Sequence, residues 1–503
     1  MKLEHPVDSD LFNPEPGARV RILYIDIDTL RADHLGCYGY QRQTSPNIDE
    51  IARRGTVFDS VYASDTPCLP SRSALLTMQF GIHNGIVNHG GTDADPVIEG
   101  RAREFQSRLY QTSFPRRLQM AGMRTVSVSS FAQRHSAFHW YAGFSEAYDV
   151  GKFGFENGDE VHAIASDWLN RRGREDNWFL HVHMWDPHTP YRAPASYGNP
   201  FAADAPPAWL DETVRAQHWA RPGPHSAQEV IGFAGNEAWA RHFPRQPQQI
   251  DSAAAVKHMF DGYDTGVRYA DDFVGRLLNQ LADLGIDDDT AVVVSSDHGE
   301  TLGELSIYCD HHTADEFTSH VPMIVRWPGQ TAGRRSGLHY QIDVFATLLE
   351  MVGGKTSQDW DAASFKPALE SGAPAGRDHL VLSHCAWTCQ RSVRFDDYLY
   401  LRTWHDGFHD FADEQLFDLV KDPHEQINLA EQDELSRARG EKLLSDWHAS
   451  MLPTAARGRD PLQNTLAEGG PYHTRGKLED YLVRLRATGR EGPAARLQKK
   501  HGG

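Results

Sequence analysis

The sequence predicts an α/β protein in which a large, mostly parallel sheet is sandwiched by helices, with a smaller C-terminal α+β domain. Short apolar, β-branched runs recur along the chain, and longer segments with helical spacing of apolar residues separate them. Such alternation is typical of parallel sheets covered on both faces. The predicted strands are residues 21–28, 125–129, 178–183, 291–295 and 322–325.

Three helices are predicted between these strands. The first covers residues 46–53, with Ser45 at the N-cap position and Pro46 in the first turn, where the missing N–H of proline is not needed. Residues 257–284 and 341–352 carry apolar side chains at helical spacing, and the second of these segments stops at a Gly-Gly pair.

The chain changes character after residue 372, where we expect a second domain. Residues 392–401 and 415–419 have the composition of antiparallel strands, and a short helix is predicted around residues 478–485. The basic end from residue 496 is expected to be loose. The predicted division is a catalytic domain over residues 1–372, a small antiparallel-sheet domain over 373–450 and a tail over 451–503.

Residues 201–251 are rich in Pro, Ala, Trp and Gln and have weak periodicity. This composition predicts an insertion or lid over one edge of the functional site. Together with the C-terminal segments, it is expected to select the substrate.

The negative net charge argues against nucleic acid and membrane surfaces as partners. With 50 basic and 69 acidic residues the net charge is −19, which opposes non-specific binding of nucleic acid and gives no signal for a membrane surface. No apolar run is long enough to span a bilayer, so we expect a soluble, cytoplasmic protein. A local cluster of cations could still bind an anionic substrate. The apolar stripe of the tail could pack on a second subunit, which leaves a homo-oligomer open.

The five cysteines are odd in number and irregularly spaced. A disulfide framework or a structural zinc site is therefore not expected. Four of them, Cys37, Cys309, Cys385 and Cys389, are interpreted as ordinary thiols. Cys68 differs because of the residues around it.

Polar side chains follow the ends of four predicted strands. In open α/β sheets, chemistry takes place beyond the carboxyl ends of the strands, so these residues are expected to share one rim. They are Asp28, Ser130, Asp186 with His188, and Asp297 with His298.

Asp28, Asp297 and His298 are the strongest metal-ligand candidates. Two carboxylates and an imidazole at separate strand ends suit a hard cation such as calcium, magnesium or manganese. The alternative is that both aspartates cap the turns that follow them. Asp26 points to the same face of its strand as Asp28, and we expect it to support the site from behind.

The histidines allow several interpretations. His181 and His183 lie within a strand and are expected to be buried with hydrogen-bond partners. His188 follows that strand in a Pro-flanked turn and is the better candidate for proton transfer, since an imidazole titrates near neutral pH. His311 and His312 could bind an anion, join the metal, or belong to a solvated loop.

Taken together, these runs resemble the sulfatase branch of the alkaline phosphatase superfamily. Residues 68–72, Cys-Leu-Pro-Ser-Arg, match the Cys-x-Pro-Ser-Arg signature of that family. Five further runs resemble family motifs in the family's order: residues 28–39, 44–49, 296–300, 321–329 and 418–429. The resemblance implies an alkaline-phosphatase-like fold.

The resemblance also implies a mechanism. Cys68 would be oxidised to formylglycine by a formylglycine-generating enzyme, and the hydrated aldehyde would be the nucleophile. One divalent metal, with calcium first and magnesium or manganese as alternatives, would be held by Asp28, Asp297, His298 and the modified Cys68. Arg72 would stabilise the ionised diol.

His188 matches the family position that protonates the leaving oxygen. Elsewhere the chain departs from the family pattern, because two expected lysines are missing. An ungapped match puts Ser130 at the first lysine, whereas a short insertion brings His135, with Arg134, to the site as the base. At the second position His311 replaces the lysine as a substrate-binding group, and His312 keeps the catalytic histidine of the family.

The resemblance therefore predicts hydrolysis of a sulfuric ester, on a small molecule or a carbohydrate. One alternative is a phosphonate monoester or phosphodiester hydrolase on the same scaffold, since metal and nucleophile suit either tetrahedral anion. A second is a non-catalytic relative that binds anions. Comparison of rates on an aryl sulfate and an aryl phosphonate separates the first two.

Overall fold

The computed structural model describes residues 20–233 and 241–502. Its strands include the five predicted in the first 372 residues, with shifted ends, among others that were not predicted. They are β1 (Arg21–Ile27), β2 (Thr56–Tyr62), β3 (Asp65–Thr66), β4 (Arg124–Val128), β5 (Glu146–Tyr148), β6 (Trp178–Met184), β7 (Thr290–Ser295), β8 (Thr301–Leu302), β9 (Tyr308–Asp310), β10 (His320–Arg326), β11 (Gly333–Tyr340), β12 (His379–His384), β13 (Cys389–Phe395), β14 (Tyr398–His405) and β15 (Glu414–Asp418).

The helices include the three that were predicted, with shifted ends. They are α1 (Pro46–Arg54), α2 (Cys68–Thr77), α3 (Gly81–Asn84), α4 (Arg108–Thr112), α5 (Phe114–Met120), α6 (Phe131–Arg134), α7 (Gly158–Arg172), α8 (Glu212–Trp219), α9 (Ala253–Asp283), α10 (Glu316–Ser319), α11 (Asp343–Met351), α12 (Lys366–Ser371), α13 (Glu434–Met451), α14 (Pro461–Ala467), α15 (Leu478–Ala487) and α16 (Glu491–His501). None of the helices within the described ranges has the length and apolar character needed to cross a membrane.

Eight strands form one large sheet in the order β11-β2-β10-β7-β1-β6-β4-β5. The central β1 pairs in parallel with β6 and β7, and β10 is the antiparallel strand between β7 and β2. Every residue of β1 is buried, as expected for a strand covered on both faces. The mostly parallel α/β sheet predicted from the sequence is confirmed.

The two faces of this sheet are buried by different helices. On one face, apolar side chains of β1 such as Ile25 pack in a cluster with Ile51 of α1, Trp168 of α7 and Val267 of α9. On the other face, the cluster includes residues of α5, α11 and α12, with Phe345 of α11 near its centre. The long apolar face of α9 thus supplies much of one helical layer.

A second sheet has the order β15-β14-β13-β12-β3. Its last strand, β3, comes from the first hundred residues of the chain and pairs in parallel with β12. Because β3 ends two residues before Cys68, this pairing attaches the C-terminal sheet to the segment that carries the candidate nucleophile.

Two predictions for the C-terminal part need correction. Residues 392–401 form parts of two strands, β13 and β14, because the chain turns at Asp396, whose φ is +44°. The end from residue 496 is not loose: it lies in α16, where Leu497 is buried and Arg496 donates to Asp410 at 2.7 Å. The helix expected around residues 478–485 is α15.

The predicted lid, residues 201–251, contains α8 and a buried loop over residues 222–230. In this loop the carbonyl of His225 accepts from the backbone N–H of Tyr308 in β9 at 2.8 Å. Residues 234–240 of this prediction lie outside the described residues.

Candidate active site

The carboxyl ends of the central strands bring the predicted metal ligands together. The parallel register of β1 with β6 and β7 aligns their ends, and Asp28 and Asp297 with His298 follow two of them. Cys68 begins α2 on the same rim. Ligand atoms of these four buried residues all lie within 4.8 Å of one another.

Cys68 is in contact with this cluster. Its Sγ lies 3.1 Å from Nε2 of His298, and the residue is 1% exposed. Burial, followed by the charges of Asp28 and Asp297, raises the pKa of the Cys68 thiol well above its ordinary value. A thiolate is therefore unfavourable here without a neighbouring cation.

Arg72, one turn further along α2, contacts three carboxylates. It donates to Asp26, donates to Asp28 Oδ2 at 2.9 Å, and lies with Nε 3.2 Å from Asp297 Oδ2. One positive charge thus faces three negative ones. Asp28 Oδ1 and Asp297 Oδ2 are buried and accept no hydrogen bond. These orphaned oxygens are the feature that a divalent cation would satisfy.

Asp26 lies behind this cluster. It accepts from Arg72 and lies 3.0 Å from Nε2 of His181. Burial alone would raise the pKa of Asp26, but Arg72 and His181 outweigh it and lower that pKa. His183 accepts from Arg72 at 2.7 Å and pairs with Ser129 at 2.8 Å, so both strand histidines are buried with partners.

A cavity of about 750 Å³ opens over Cys68. His135, His188 and His311 line this cavity together with the candidate nucleophile. These three residues lie 67 to 243 positions further along the chain, so the fold alone makes them neighbours.

His188 faces the metal-ligand cluster. Its Nε2 lies 3.9 Å from Asp28 Oδ1, while Nδ1 contacts the carbonyl of Thr189. Burial, followed by the charges of Arg192 and Arg134, lowers the pKa of His188 well below its usual range. A bound anion would oppose these two cations and favour the protonated imidazole.

The structure selects between the two candidates after β4. His135 lines the cavity, and its buried Nε2 has no hydrogen-bond partner. Ser130 does not reach the cavity: it donates to Glu156 and accepts from Trp185 Nε1 at 3.0 Å. The predicted substrate contact of Ser130 is corrected for this reason, since its hydroxyl is used in the wall behind the cavity.

The side chains of the adjacent His311 and His312 have different surroundings. His311 lines the cavity and its ring centroid is 4.2 Å from that of His298. His312 is fully buried away from the cavity, stacked on Trp387 at 3.9 Å between centroids. Its predicted place beside the nucleophile is therefore corrected, because neighbours in an extended segment point in opposite directions.

Two guanidinium groups line the cavity. They belong to Arg134 and Arg192, and both lie over the ring of Trp185, at 5.0 and 5.6 Å. Neither forms an ion pair with a carboxylate in the described part of the chain. Burial, followed by the charge of Arg134, lowers the pKa of Arg192 to about 9.

Sequence reasoning did not select Arg192, although it follows His188 in the same Pro-rich turn. It also missed three cavity residues outside the motifs: His225 from the predicted lid, Trp387 from the β12–β13 connection and His473 from the tail. No local signal marks these three positions. They reach the cavity through long-range packing.

Two family profiles match the chain. The sulfatase profile covers residues 21–354, and the profile "N-sulphoglucosamine sulphohydrolase, C-terminal" covers residues 303–445. The chain is 25% identical to an N-acetylglucosamine-6-O-sulfatase of Bacteroides thetaiotaomicron, over 82% of this chain and 83% of that protein. It is 26% identical to a multifunctional alkaline phosphatase superfamily protein of Trinickia caryophylli, over 82% and 91%.

Solved structures share the fold. A protein in complex with its substrate D-glucosamine-2-N,6-O-disulfate superposes with a TM-score of 0.68 at 21% identity, covering 86% of this chain and 98% of that one. The phosphonate monoester hydrolase of Agrobacterium radiobacter gives 0.69 at 19% identity, covering 86% and 96%. With two thirds of its residues matched by the sulfatase profile, the chain belongs to the sulfatase family.

Proposed function

We propose that this chain hydrolyses a sulfate monoester with a nucleophile derived from Cys68. One observation carries the proposal. Cys68 is buried among Asp28, Asp297 and His298, at the foot of a cavity that is also lined by Arg134 and Arg192. A buried, poorly ionised thiol is a weak nucleophile, whereas oxidation to formylglycine at this position supplies a different one. A formylglycine-generating enzyme is then a required partner during maturation.

The residues present fit a divalent cation. Asp28, Asp297, His298 and residue 68 would hold it, and the orphaned carboxylate oxygens favour a hard ion, calcium first, with magnesium or manganese as alternatives. Such an ion, when bound, would lower the pKa of the nucleophilic hydroxyl and offset the charge of the sulfate oxygens.

The hydrated aldehyde has two hydroxyl groups, and each has a use. One attacks sulfur and the ester oxygen leaves; the other then loses its proton, and collapse to the aldehyde expels sulfate. Arg72 holds the start of α2 against the carboxylates of β1. His135, with a free buried Nε2, is placed to take the proton of the second hydroxyl.

Side chains of the cavity wall bind the sulfate group and protonate the leaving alcohol. Arg134, Arg192 and His311 offer donors along the wall, which compensates for the two missing lysines. His188 Nε2 would give a proton to the leaving alcohol oxygen. Each of these roles needs only side chains that already line the cavity.

The size and lining of the cavity favour a sulfated saccharide as the substrate. A volume of about 750 Å³ accommodates a sugar unit, and the aromatic side chains of Trp387, Tyr472 and Phe155 are part of its lining. One relative is an N-acetylglucosamine-6-O-sulfatase, and one solved neighbour binds a glucosamine disulfate. The predicted domain division, cytoplasmic location and homo-oligomer remain predictions.

A phosphonate monoester or phosphodiester hydrolase is the second candidate. The neighbour from Agrobacterium radiobacter and the multifunctional relative favour it, since the same cavity fits either tetrahedral anion. The test is kcat/KM of the formylglycine-containing enzyme on an aryl sulfate and an aryl phosphonate monoester. Higher values on the sulfate support the proposal, and values far higher on the phosphonate overturn it.

The Cys68→Ala variant is the control in this test. It should bind a sulfated ligand with no turnover. If binding is retained in the unmodified, native chain but neither substrate is turned over after full conversion of Cys68, the protein is a non-catalytic anion binder.

A further inference from the structure

A second group of metal-ligand side chains lies beside the cavity and has no part in the proposed reaction. His225 comes from the buried loop of the predicted lid, Asp310 ends β9, and His312 follows two residues later. His225 Nε2 lies 3.0 Å from Asp310 Oδ2, and His312 Nε2 lies 3.5 Å from Asp310 Oδ1. All three residues are less than 9% exposed.

His312 contacts Asp310 only at the long limit of a hydrogen bond. Its buried Nε2 lies 3.5 Å from Asp310 Oδ1 and forms no hydrogen bond of good geometry. The ring is held in place by stacking on Trp387 and by Nδ1, which lies 3.1 Å from Nε2 of His409. A histidine that binds a metal typically uses its other ring nitrogen in this way.

We propose that His225, Asp310 and His312 form a second metal site, for a divalent transition ion of the zinc class. Zinc bonds of about 2.0–2.2 Å place neighbouring tetrahedral ligand atoms about 3.3–3.5 Å apart. The two imidazole nitrogens approach different oxygens of Asp310, at 3.0 and 3.5 Å, and both distances are close to that spacing. Two imidazoles and one carboxylate prefer zinc over calcium, unlike the oxygen-rich cluster around Asp28.

The site has room for a fourth ligand on the cavity side. His225 and Asp310 line the cavity that also contains Cys68, whereas His312 closes the site from behind. Three protein ligands with one open position are typical of a metal that contacts substrate or water. An oxygen donor of the alcohol part of a bound substrate can complete the coordination.

Cobalt binding by the full-length chain tests this site apart from the proposed function. Co²⁺ in a tetrahedral site gives visible d–d absorption, and the metal content after removal of free ion gives the stoichiometry. The Asp297→Asn variant weakens the first cluster, so its remaining cobalt reports the second site. We expect this variant to bind one equivalent with tetrahedral absorption, and His312→Ala in the same background to lose both.

Two further variants in that background protect the test from misfolding. Asp310→Asn keeps the shape of the side chain, and His225→Ala changes a different segment of the chain. Both variants should lose the cobalt absorption, while their melting temperatures stay near that of the parent. His448→Ala removes a histidine paired with Asp460 far from the cluster and should change nothing. Absorption that persists in the His312, Asp310 and His225 variants, or a parent that binds no cobalt, overturns the proposal.

Discussion

Arg192 is a buried cation that forms no direct ion pair with a carboxylate in the described structure. It is held by the carbonyl of Thr189 at 3.0 Å and by the ring of Trp185. Burying an uncompensated charge costs free energy, so such a residue is retained where an anion arrives. The proposed sulfate position beside Cys68 is that place.

Replacement of Arg192 should weaken the enzyme without unfolding it. We expect Arg192→Ala to lower kcat/KM for a sulfate ester about 10- to 100-fold, since a hydrogen bond to a charged group contributes about 1.5–3 kcal/mol. Arg192→Lys should recover part of this loss. Steady-state kinetics test the prediction, with the exposed Arg171→Ala as control; an unchanged kcat/KM in Arg192→Ala contradicts it.

His188 should give the enzyme an acidic limb in its pH–rate profile. A general acid acts in its protonated form, and the pKa of His188 is lowered, so activity should rise as pH falls below the ordinary histidine value of 6.5. The limb should be steep for an alkyl sulfate and shallow for an aryl sulfate, whose leaving group needs less help. His188→Gln should flatten it, and Arg192→Ala should shift it to higher pH. An alkyl sulfate profile that is unaffected by His188→Gln would refute this role.

Residues that depend on strand ends and local motifs could be predicted from the sequence. Asp28 and Asp297 converge because parallel strands end at one rim, and Cys68 is marked by its local motif. Arg192 and His225 could not, since their positions depend on how loops fold over that rim. His311 and His312 are adjacent and point in opposite directions, so only one of them faces the cavity. The segment is too short for its apolar periodicity to show which one.

At the level of elements, the C-terminal helices α15 and α16 hold the loop that carries His225. Glu229 of this loop is fully buried and accepts from Arg490 at 2.9 Å and from Arg484 at 2.9 Å. Tyr481 accepts from the backbone N–H of Gly223 at 2.6 Å. The tail therefore helps to hold one wall of the cavity.

Loss of this contact should loosen the loop. Arg490→Ala leaves Glu229 with one partner fewer, and breaking a buried ion pair costs about 3–5 kcal/mol. We expect faster hydrogen exchange in residues 222–230 and a lower unfolding free energy in urea. Arg496→Ala, in the helix that follows Arg490 but in an exposed pair with Asp410, should change stability by less than about 0.5 kcal/mol. Equal effects of both variants would contradict this assignment.

Elements were predicted best where apolar periodicity was long. The helix α9 and the buried strand β1 carry their patterns over many residues. The turn at Asp396 was missed because no Gly, Pro or Asn marks it, and the residues on either side of the Asp-Asp pair, Phe395 and Tyr398, are aromatic. The helix α16 was missed because only Ala494 and Leu497 of it are buried, which leaves a weak apolar signal.

On the scale of the whole molecule, the two sheets share structure. The strand β3 belongs to the second sheet, and one apolar cluster joins Tyr62 and Phe80 to Leu382 and Leu399. The predicted boundary at residue 372 therefore separates strands that pair with each other.

We expect a chain that ends at residue 372 not to unfold cooperatively, because it leaves β3 unpaired and the apolar face around Tyr62 exposed. The full-length chain should show one major transition that includes both sheets. Urea unfolding, followed by fluorescence and circular dichroism together, measures this. A residue 1–372 fragment with its own sharp transition would establish the predicted division as two independent domains.

The central claim is that residue 68 acts as formylglycine. Mass spectrometry of the tryptic peptide of residues 55–72, from protein made together with a formylglycine-generating enzyme, tests it most directly. The account predicts an aldehyde in place of the Cys68 thiol, with sulfate release from an aryl sulfate that rises in proportion to the converted fraction. Sulfate release at an unchanged rate from protein in which Cys68 is entirely a thiol would contradict it.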